Sequence, residues 1–72
     1  MSHFELGVVF DRMQRYEDAA REFERAAELD PSDAATHYRL SRVYDRLGKT
    51  DLARAERERH AKLVEQQQAP VK

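Results

Sequence analysis

The most distinctive chemical pattern in the chain is a set of three arginines that follow a tyrosine. Arg39, Arg42 and Arg46 are separated by three and four residues, so on a helix they share one face. Tyr38 places an aromatic ring beside that face. Guanidinium groups bind carboxylates through paired hydrogen bonds, and the pattern therefore predicts capture of an acidic segment or a carboxylate. The alternative is a solvated helical face on which an arginine such as Arg42 pairs with a neighbouring acid such as Asp45.

The histidines and carboxylates of the chain do not predict a metal site or a catalytic site. Glu56 and His60 are four residues apart, but one carboxylate and one imidazole are too few ligands for a closed metal site. The chain has no nucleophile beside a base and no glycine-rich phosphate loop. We therefore expect a protein that is not an enzyme and that needs no metal and no cofactor.

The charge of the chain argues against a general binder of polyanions. Its 72 residues include 13 Lys and Arg and 14 Asp and Glu, which gives a net charge of −1. Residues 1–36 hold nine acids and four bases, a charge of −5, whereas residues 37–72 hold five acids and nine bases, a charge of +4. Because the arginines of the segment 54–59 alternate with glutamates, we expect no binding of nucleic acid.

The apolar residues of the chain are too dispersed to form a membrane segment. No run approaches the length of a membrane-spanning helix. The apolar cluster at residues 6–10 is short and lacks the basic flank of a signal peptide. We therefore expect no membrane association and a cytoplasmic protein.

The residue composition predicts an all-α fold. Ala, Leu, Glu, Arg, Lys and Gln dominate, isoleucine and asparagine are absent, and only two glycines and two prolines interrupt the chain. Apolar periodicity and capping residues indicate four helices. The helices are predicted at 2–14, 17–29, 33–47 and 51–67, and residues 68–72 are predicted to be a disordered tail.

Short connections with recognisable turn residues join these helices. Ser32 and Asp33 are good caps for the third helix, Gly48 is a stop after it, and Thr50 is expected to cap the fourth. Gln14 stands where the first turn needs a left-handed residue, a conformation that costs a non-glycine residue ~1 kcal/mol. This first turn is therefore predicted to be strained.

Each helix carries apolar residues that predict its buried face. The second helix has the most complete stripe, formed by Tyr16, Ala19, Ala20, Phe23, Ala26 and Ala27 and closed by Leu29. The inner stripe of the third helix is His37, Leu40, Ser41, Tyr44 and Leu47. The first helix has one face of Leu6, Phe10 and Met13, and more apolar surface from Phe4, Val8 and Val9. The fourth helix is apolar only near its ends, and its middle, 56–60, is expected to be polar on every face.

The two halves of the chain repeat each other at a spacing of 34 residues. In this register the matching pairs are His3–His37, Leu6–Leu40, Gly7–Ser41, Phe10–Tyr44, Met13–Leu47 and Ala19–Ala53. Residues 16–31, with their small–aromatic–small order and closing Leu-Asp-Pro, and the stretch RVYDRLGKTDLA at 42–53 resemble the tetratricopeptide repeat (TPR) family. The resemblance implies two helix–turn–helix repeats, 1–33 and 34–67, whose four antiparallel helices form a fragment of an α-solenoid.

The second repeat departs from the family pattern in its second helix. Arg57 stands at the position of Phe23, and His60 stands at the position of Ala26. A helix this polar cannot bury both of its flanks. We therefore expect a C-terminal capping helix with a solvated outer face, and with the stem of Arg57 lying along the core.

The start of each repeat also departs from the family pattern. The large tryptophan or leucine often found early in the family's first helix is replaced by His3 and His37. We expect neither a loop nor a capping residue before the first helix. The missing cap at the start, together with the polar fourth helix and the predicted tail, favours the interpretation that the chain is the C-terminal part of a longer array.

The resemblance implies a non-enzymatic protein–protein interaction module. TPR arrays bind extended peptides or partner helices in a concave groove lined by the first helix of each repeat. The residues expected to contact the partner are Phe4, Val8, Tyr38, Arg39, Arg42 and Arg46. Because the chain has no asparagine, the lysine–asparagine clamp of one subgroup is disfavoured, and Phe4 and Val8 predict an apolar contact instead.

Self-association is the alternative function. Two repeats are fewer than the three or more usually needed for a stable array, and the first helix has an excess of apolar residues. The opposite charges of the two halves favour head-to-tail stacking of one copy on another. A homodimer, either isologous or domain-swapped at 14–16 or 46–50, is a further arrangement.

Overall fold

The computed structural model describes residues 1–67, and these residues form four α-helices. The helices are α1 (His3–Arg12), α2 (Tyr16–Leu29), α3 (Ala34–Arg46) and α4 (Thr50–Gln67). Each helix packs against the next one along the chain, α1 on α2, α2 on α3 and α3 on α4. This confirms the all-α fold of paired helices. The predicted tail at 68–72 lies outside the described residues.

The first helix begins with a capping box, contrary to our expectation that it lacks a cap. The hydroxyl of Ser2 accepts a hydrogen bond from the backbone N–H of Glu5 at 3.1 Å, and the carboxylate of Glu5 accepts one from the backbone N–H of Ser2 at 3.0 Å. The donated backbone hydrogen bond holds the pKa of Glu5 below its ordinary value. The two reciprocal hydrogen bonds satisfy backbone donors that would otherwise be free at the start of α1.

The turns between the helices confirm most of the predicted turn residues. Gln14 and Gly48 both have left-handed backbones, with φ of 63° and 76°. Asp33 caps α3, because its carboxylate accepts a hydrogen bond from the backbone N–H of Ala35 at 3.1 Å. The prediction for Thr50 was wrong by one residue, since Thr50 is the first residue of α4 and not its cap.

The core is centred on Phe23, which is fully buried between the two helical hairpins. Its ring lies directly against the backbone of Gly7, where an added Cβ would come within 2.6 Å of a ring carbon. Phe4 meets the same ring edge-on, with a centroid distance of 5.6 Å. The other buried apolar residues are Ala19, Ala20, Leu40, Val43, Tyr44 and Ala53. The predicted inner stripe of α3 is confirmed at His37, Leu40, Ser41 and Tyr44, while Leu47 is half-buried after the end of the helix. Thr36 and Val43 are buried as well.

Several apolar residues that we placed on inner faces are exposed. Leu29 is 76% exposed and Met13 is 57% exposed. Leu29 is the last residue of α2, and Ala27 packs against the core in its place. In α1 the buried residue is Gly7, so the prediction of an inner face through Met13 was wrong. The reason is that α1 has α2 as its only extensive neighbour in the described chain.

The middle of α4 is polar, but it is not solvated on every face, because Glu56 is buried. Its Oε1 lies 2.6 Å from Nδ1 of His37, and its Oε2 accepts a hydrogen bond from Arg59 at 2.7 Å. Nε2 of His37 lies 2.7 Å from the carbonyl oxygen of Pro31. Both ring nitrogens of His37 therefore have a polar partner in the core.

The outer side of α4 is solvated, as the sequence predicted. Arg57 is exposed and donates a hydrogen bond to Asp45 at 2.8 Å. Arg54, at the position equivalent to the buried Ala20, is exposed as well. A further helix packed on α4 in the way that α3 packs on α2 would have to desolvate these two arginines.

No helix within residues 1–67 is long and apolar enough to span a membrane.

Candidate functional site

The three arginines of α3 each lie over an aromatic ring. The guanidinium of Arg42 is 5.8 Å from the ring centre of Tyr38, and Nη1 donates a hydrogen bond to the hydroxyl of that tyrosine at 3.1 Å. Arg46 lies 5.4 Å from the ring centre of Tyr16 on α2 and donates to its hydroxyl at 2.9 Å. Cation–π contacts and hydrogen bonds of this kind restrict the side chains while leaving further N–H donors free.

The third arginine joins α3 to α1. Arg39 lies 5.8 Å from the ring centre of Phe4, and it is the least exposed of the three arginines. Three of the four helices therefore supply rings to the arginines of α3. We call the surface formed by Tyr38, Arg39, Arg42 and Arg46 the arginine face.

The arginine face has no acidic partner within residues 1–67. Arg39, Arg42 and Arg46 form no ion pair there, since the pairs of this part of the chain involve other residues. Asp45, which we considered as a partner of Arg42, pairs with Arg57 instead. The sequence alternative in which Arg42 is neutralised by Asp45 is therefore not the arrangement in the structure.

The electrostatic surroundings of Arg42 favour its charged form. The hydrogen bond with Tyr38 raises the pKa of Arg42 above its ordinary value, and the charge of Asp11 on α1 acts in the same direction. Asp11 is thus an acid whose charge reaches Arg42 without an ion pair between them.

The structure joins four of the six residues expected to contact a partner in two pairs, Phe4 with Arg39 and Tyr38 with Arg42. Phe4 lies under Arg39, and Tyr38 is 45% exposed beside Arg42. Phe4 and Val8 are both half-buried and pack against the core, so they present less surface than the sequence suggested.

Two aromatic contacts at this face were missed from the sequence. Tyr16 was assigned only to the apolar stripe of α2, yet it supports Arg46 from 30 residues away. His60 of α4 lies beside Tyr38, with a ring-centre distance of 5.4 Å. The residues of each pair lie on different helices, so their contact depends on how the helices pack and cannot be read from sequence spacing.

Glu56 and His60, which we weighed as metal ligands, have separate partners. Glu56 is buried against His37 and Arg59, whereas His60 lies against Tyr38. Residues 1–67 contain no group of three or more His, Cys, Asp or Glu side chains that could hold a metal ion.

Comparison with known families gives two matches. Residues 1–33 match one family model described as a tetratricopeptide repeat, and residues 22–55 match a second model with the same description. The two matches together extend over residues 1–55. No curated protein and no solved structure matches the chain.

Proposed function

The chain belongs to the tetratricopeptide repeat family, whose members are generally protein–protein interaction modules, and on this premise we propose that its arginine face binds an acidic peptide or partner helix. The proposed activity is non-enzymatic. The observation that carries it is that three arginines on one helical face are supported by rings and have no acidic partner within the described chain.

The supported arginines favour carboxylates as ligands. A guanidinium has five N–H donors in one plane, and the hydrogen bonds of Arg42 and Arg46 to tyrosine hydroxyls each use one. The remaining donors can form paired hydrogen bonds with a carboxylate. Because the stacked rings already restrict these side chains, less conformational entropy is lost when a partner binds.

The spacing of the arginines constrains the partner. Arg39 and Arg46 are seven residues apart, which on a helix corresponds to ~10 Å along the axis. In an extended peptide, with about 3.3 Å per residue, acids at every second or third position would match this spacing. A partner helix would match it with acids three and four residues apart.

Charge reversal on the arginine face tests this proposal. We would measure the affinity of a labelled peptide with acids at every second position by fluorescence anisotropy, for the wild type and for the double variant Arg39→Glu/Arg42→Glu. We expect the double variant to bind at least about tenfold more weakly, equivalent to ~1.4 kcal/mol. The matched control is Arg25→Glu/Arg54→Glu, which makes the same charge change at exposed positions on α2 and α4. Binding that is insensitive to the double variant, or equally sensitive to the control, would contradict the proposal.

A second candidate function, self-association through α1, is supported by a difference between the repeats. Leu40 and Val43 of α3 are buried. Of the equivalent residues of α1, Leu6 is half-buried and Val9 is exposed. Met13 is exposed while its equivalent Leu47 packs against the core. An isologous pairing of α1 with α1 of a second copy would cover this surface, whereas head-to-tail stacking on α4 would bury charged side chains.

Sedimentation equilibrium across a concentration series tests self-association. If α1 pairs with α1, the wild type should form a dimer, and Val9→Glu/Met13→Glu should be monomeric. The control Leu29→Glu places a charge on an exposed leucine of α2 and should leave the dimer intact. A folded wild-type monomer at micromolar concentration would rule out this function without affecting peptide binding to the arginine face.

A further inference from the structure

A groove lies between α2 and α4, on the side of α3 opposite the arginine face. It has a volume of about 730 Å³. Leu40 and Tyr44 of α3 form its floor, Ala27 lies on the α2 wall, and Leu52 and Leu63 lie on the α4 wall. At 100° per residue these α3 positions point away from Arg39, Arg42 and Arg46. The groove is therefore a separate surface.

The polar groups at the floor of the groove are already paired. His37 lies between Glu56 and the carbonyl oxygen of Pro31, and Glu56 also accepts from Arg59. No buried side-chain nitrogen or oxygen among residues 1–67 lacks a hydrogen-bond partner. A ligand therefore meets no unpaired polar atom at the centre of the groove, and apolar side chains are the groups that fit there.

The two walls of the groove carry opposite charges. Glu24 and Glu28 stand on the α2 wall, and Arg59 and Lys62 stand on the α4 wall. Glu28 and Lys62 are exposed and form no ion pair within the described chain. Charge complementarity therefore calls for a basic flank next to α2 and an acidic flank next to α4.

The hydroxyl of Tyr44 connects the floor to the acidic wall. It donates a hydrogen bond to Glu24. Burial, followed by this hydrogen bond, raises the pKa of Tyr44, so the hydroxyl remains a donor. The floor and the α2 wall are thus linked, and the apolar groups that a ligand can reach are the half-buried Ala27 and Leu63 and the exposed Leu52.

We propose that the α2–α4 groove docks an amphipathic helix of a protein partner, with its apolar face on α3, basic residues along α2 and acidic residues along α4. Reversing such a helix end to end in the groove exchanges its flanks. The two charged walls therefore select one direction of the bound helix. A helix with the same charge sign on both flanks meets repulsion at one wall.

Designed helical peptides of about four turns, ~15 residues, test this proposal. One peptide has leucines on one face, lysines on one flank and glutamates on the other, and two comparison peptides have lysines only or glutamates only on both flanks. Binding is measured by anisotropy, and the contacted residues are mapped from methyl shifts of Leu40, Leu52 and Leu63. We expect the mixed peptide to bind about threefold to fivefold more tightly than either comparison peptide.

Two variants of the protein sharpen the test. Ala27→Phe fills the groove and should weaken binding of the mixed peptide by about tenfold or more. Its control, Ala61→Phe, places the same side chain at the repeat-equivalent position, which is exposed and outside the groove, and should leave binding unchanged. Glu28→Lys cancels the net charge of the α2 wall, because Glu24 remains there, and should reduce the preference for the mixed peptide over the peptide with two acidic flanks.

The results separate this proposal from that of the arginine face. Arg39→Glu/Arg42→Glu should leave the mixed peptide bound, and Ala27→Phe should leave the acidic peptide bound. Equal affinities for the three helical peptides, equal effects of Ala27→Phe and Ala61→Phe, or shifts confined to the arginine face would each overturn docking in the groove.

Discussion

The two repeats contain the same histidine–glutamate pair but place it in different environments. His3 and Glu22 are 2.8 Å apart, and His37 and Glu56 are 2.6 Å apart, each pair separated by 19 residues. The side chain of His3 is 41% exposed, whereas that of His37 is 6% exposed. The difference arises because α3 lies between α2 and α4, while α1 has only α2 as an extensive neighbour within residues 1–67. The number of neighbouring helices therefore decides whether this pair is a surface contact or part of the core.

The repeats also differ in how their own two helices meet. In the first repeat the ring of Phe23 lies on the backbone of Gly7. In the second repeat Ser41 replaces the glycine and Arg57 replaces the phenylalanine. Arg57 reaches Asp45 at the surface, so position 57 places no ring against Ser41. The changes at these two positions are thus physically linked.

The largest predicted contrast is between truncations of Phe23 and Arg57. Phe23→Ala should destabilise the protein by about 3–5 kcal/mol, because it removes the fully buried centre of the core. Arg57→Ala removes only an exposed ion pair and should cost about 0–1 kcal/mol. Urea denaturation followed by circular dichroism measures both. Losses of similar size would show that the outer side of α4 is packed after all.

The second contrast is between the two histidines. His37→Ala leaves the carboxylate of Glu56 buried with Arg59 as its remaining partner, and should cost about 3 kcal/mol. His3→Ala breaks a pair that stays accessible to water and should cost about 0–1 kcal/mol. The free energies of unfolding of the two variants test this directly. Equal losses would mean that the buried pair contributes no more than the exposed one.

The third contrast concerns the small residue of each first helix. Gly7→Ala forces a methyl group against the Phe23 ring and should cost about 1–3 kcal/mol. Ser41→Ala removes a hydrogen bond from the hydroxyl to the Tyr38 carbonyl within the same helix and should change stability by about 0.5 kcal/mol. The midpoint temperatures of thermal unfolding of the two variants measure this difference in stability. A well-tolerated Gly7→Ala would contradict the close contact with Phe23.

The smallest contrast is between the left-handed turn residues Gln14 and Gly48, which are also repeat-equivalent. Gly48→Gln should cost ~1 kcal/mol through backbone strain alone, since an added Cβ meets no atom within 4 Å. Gln14→Gly should stabilise the protein by about 0.5 kcal/mol, because relief of strain exceeds the entropy that glycine adds to the unfolded chain. In urea denaturation, the free energy of unfolding should fall in Gly48→Gln and rise in Gln14→Gly. A loss of stability in Gln14→Gly would count against strain at that turn.

Features that depend on residues close together in the sequence could be predicted. The periodicity of the apolar residues predicted the four helices, and the spacing of 34 residues between matching positions predicted the two repeats. The left-handed conformation of Gln14 followed from its place in the first turn. The capping box at Ser2 was also present as a Ser-x-x-Glu pattern and could have been found.

Features that depend on helix packing could not be predicted. Glu56 looks like any other charge in its polar segment, and only its contact with His37 shows that it is buried. The same spacing of 19 residues between His3 and Glu22 was the available signal. The shared face of the arginines followed from their spacing, whereas the support of Arg46 by Tyr16 depends on the crossing of α2 and α3.

The central claim is that the arginine face receives an acidic partner, and arginine side-chain NMR tests it most directly. The Nε–H signals of Arg39, Arg42 and Arg46 would be followed as an acidic peptide is added. We predict that these three signals shift together and saturate at one peptide concentration, while the signal of Arg25 on α2 does not move. Shifts of similar size at all arginines, or no shift at these three, would contradict the claim.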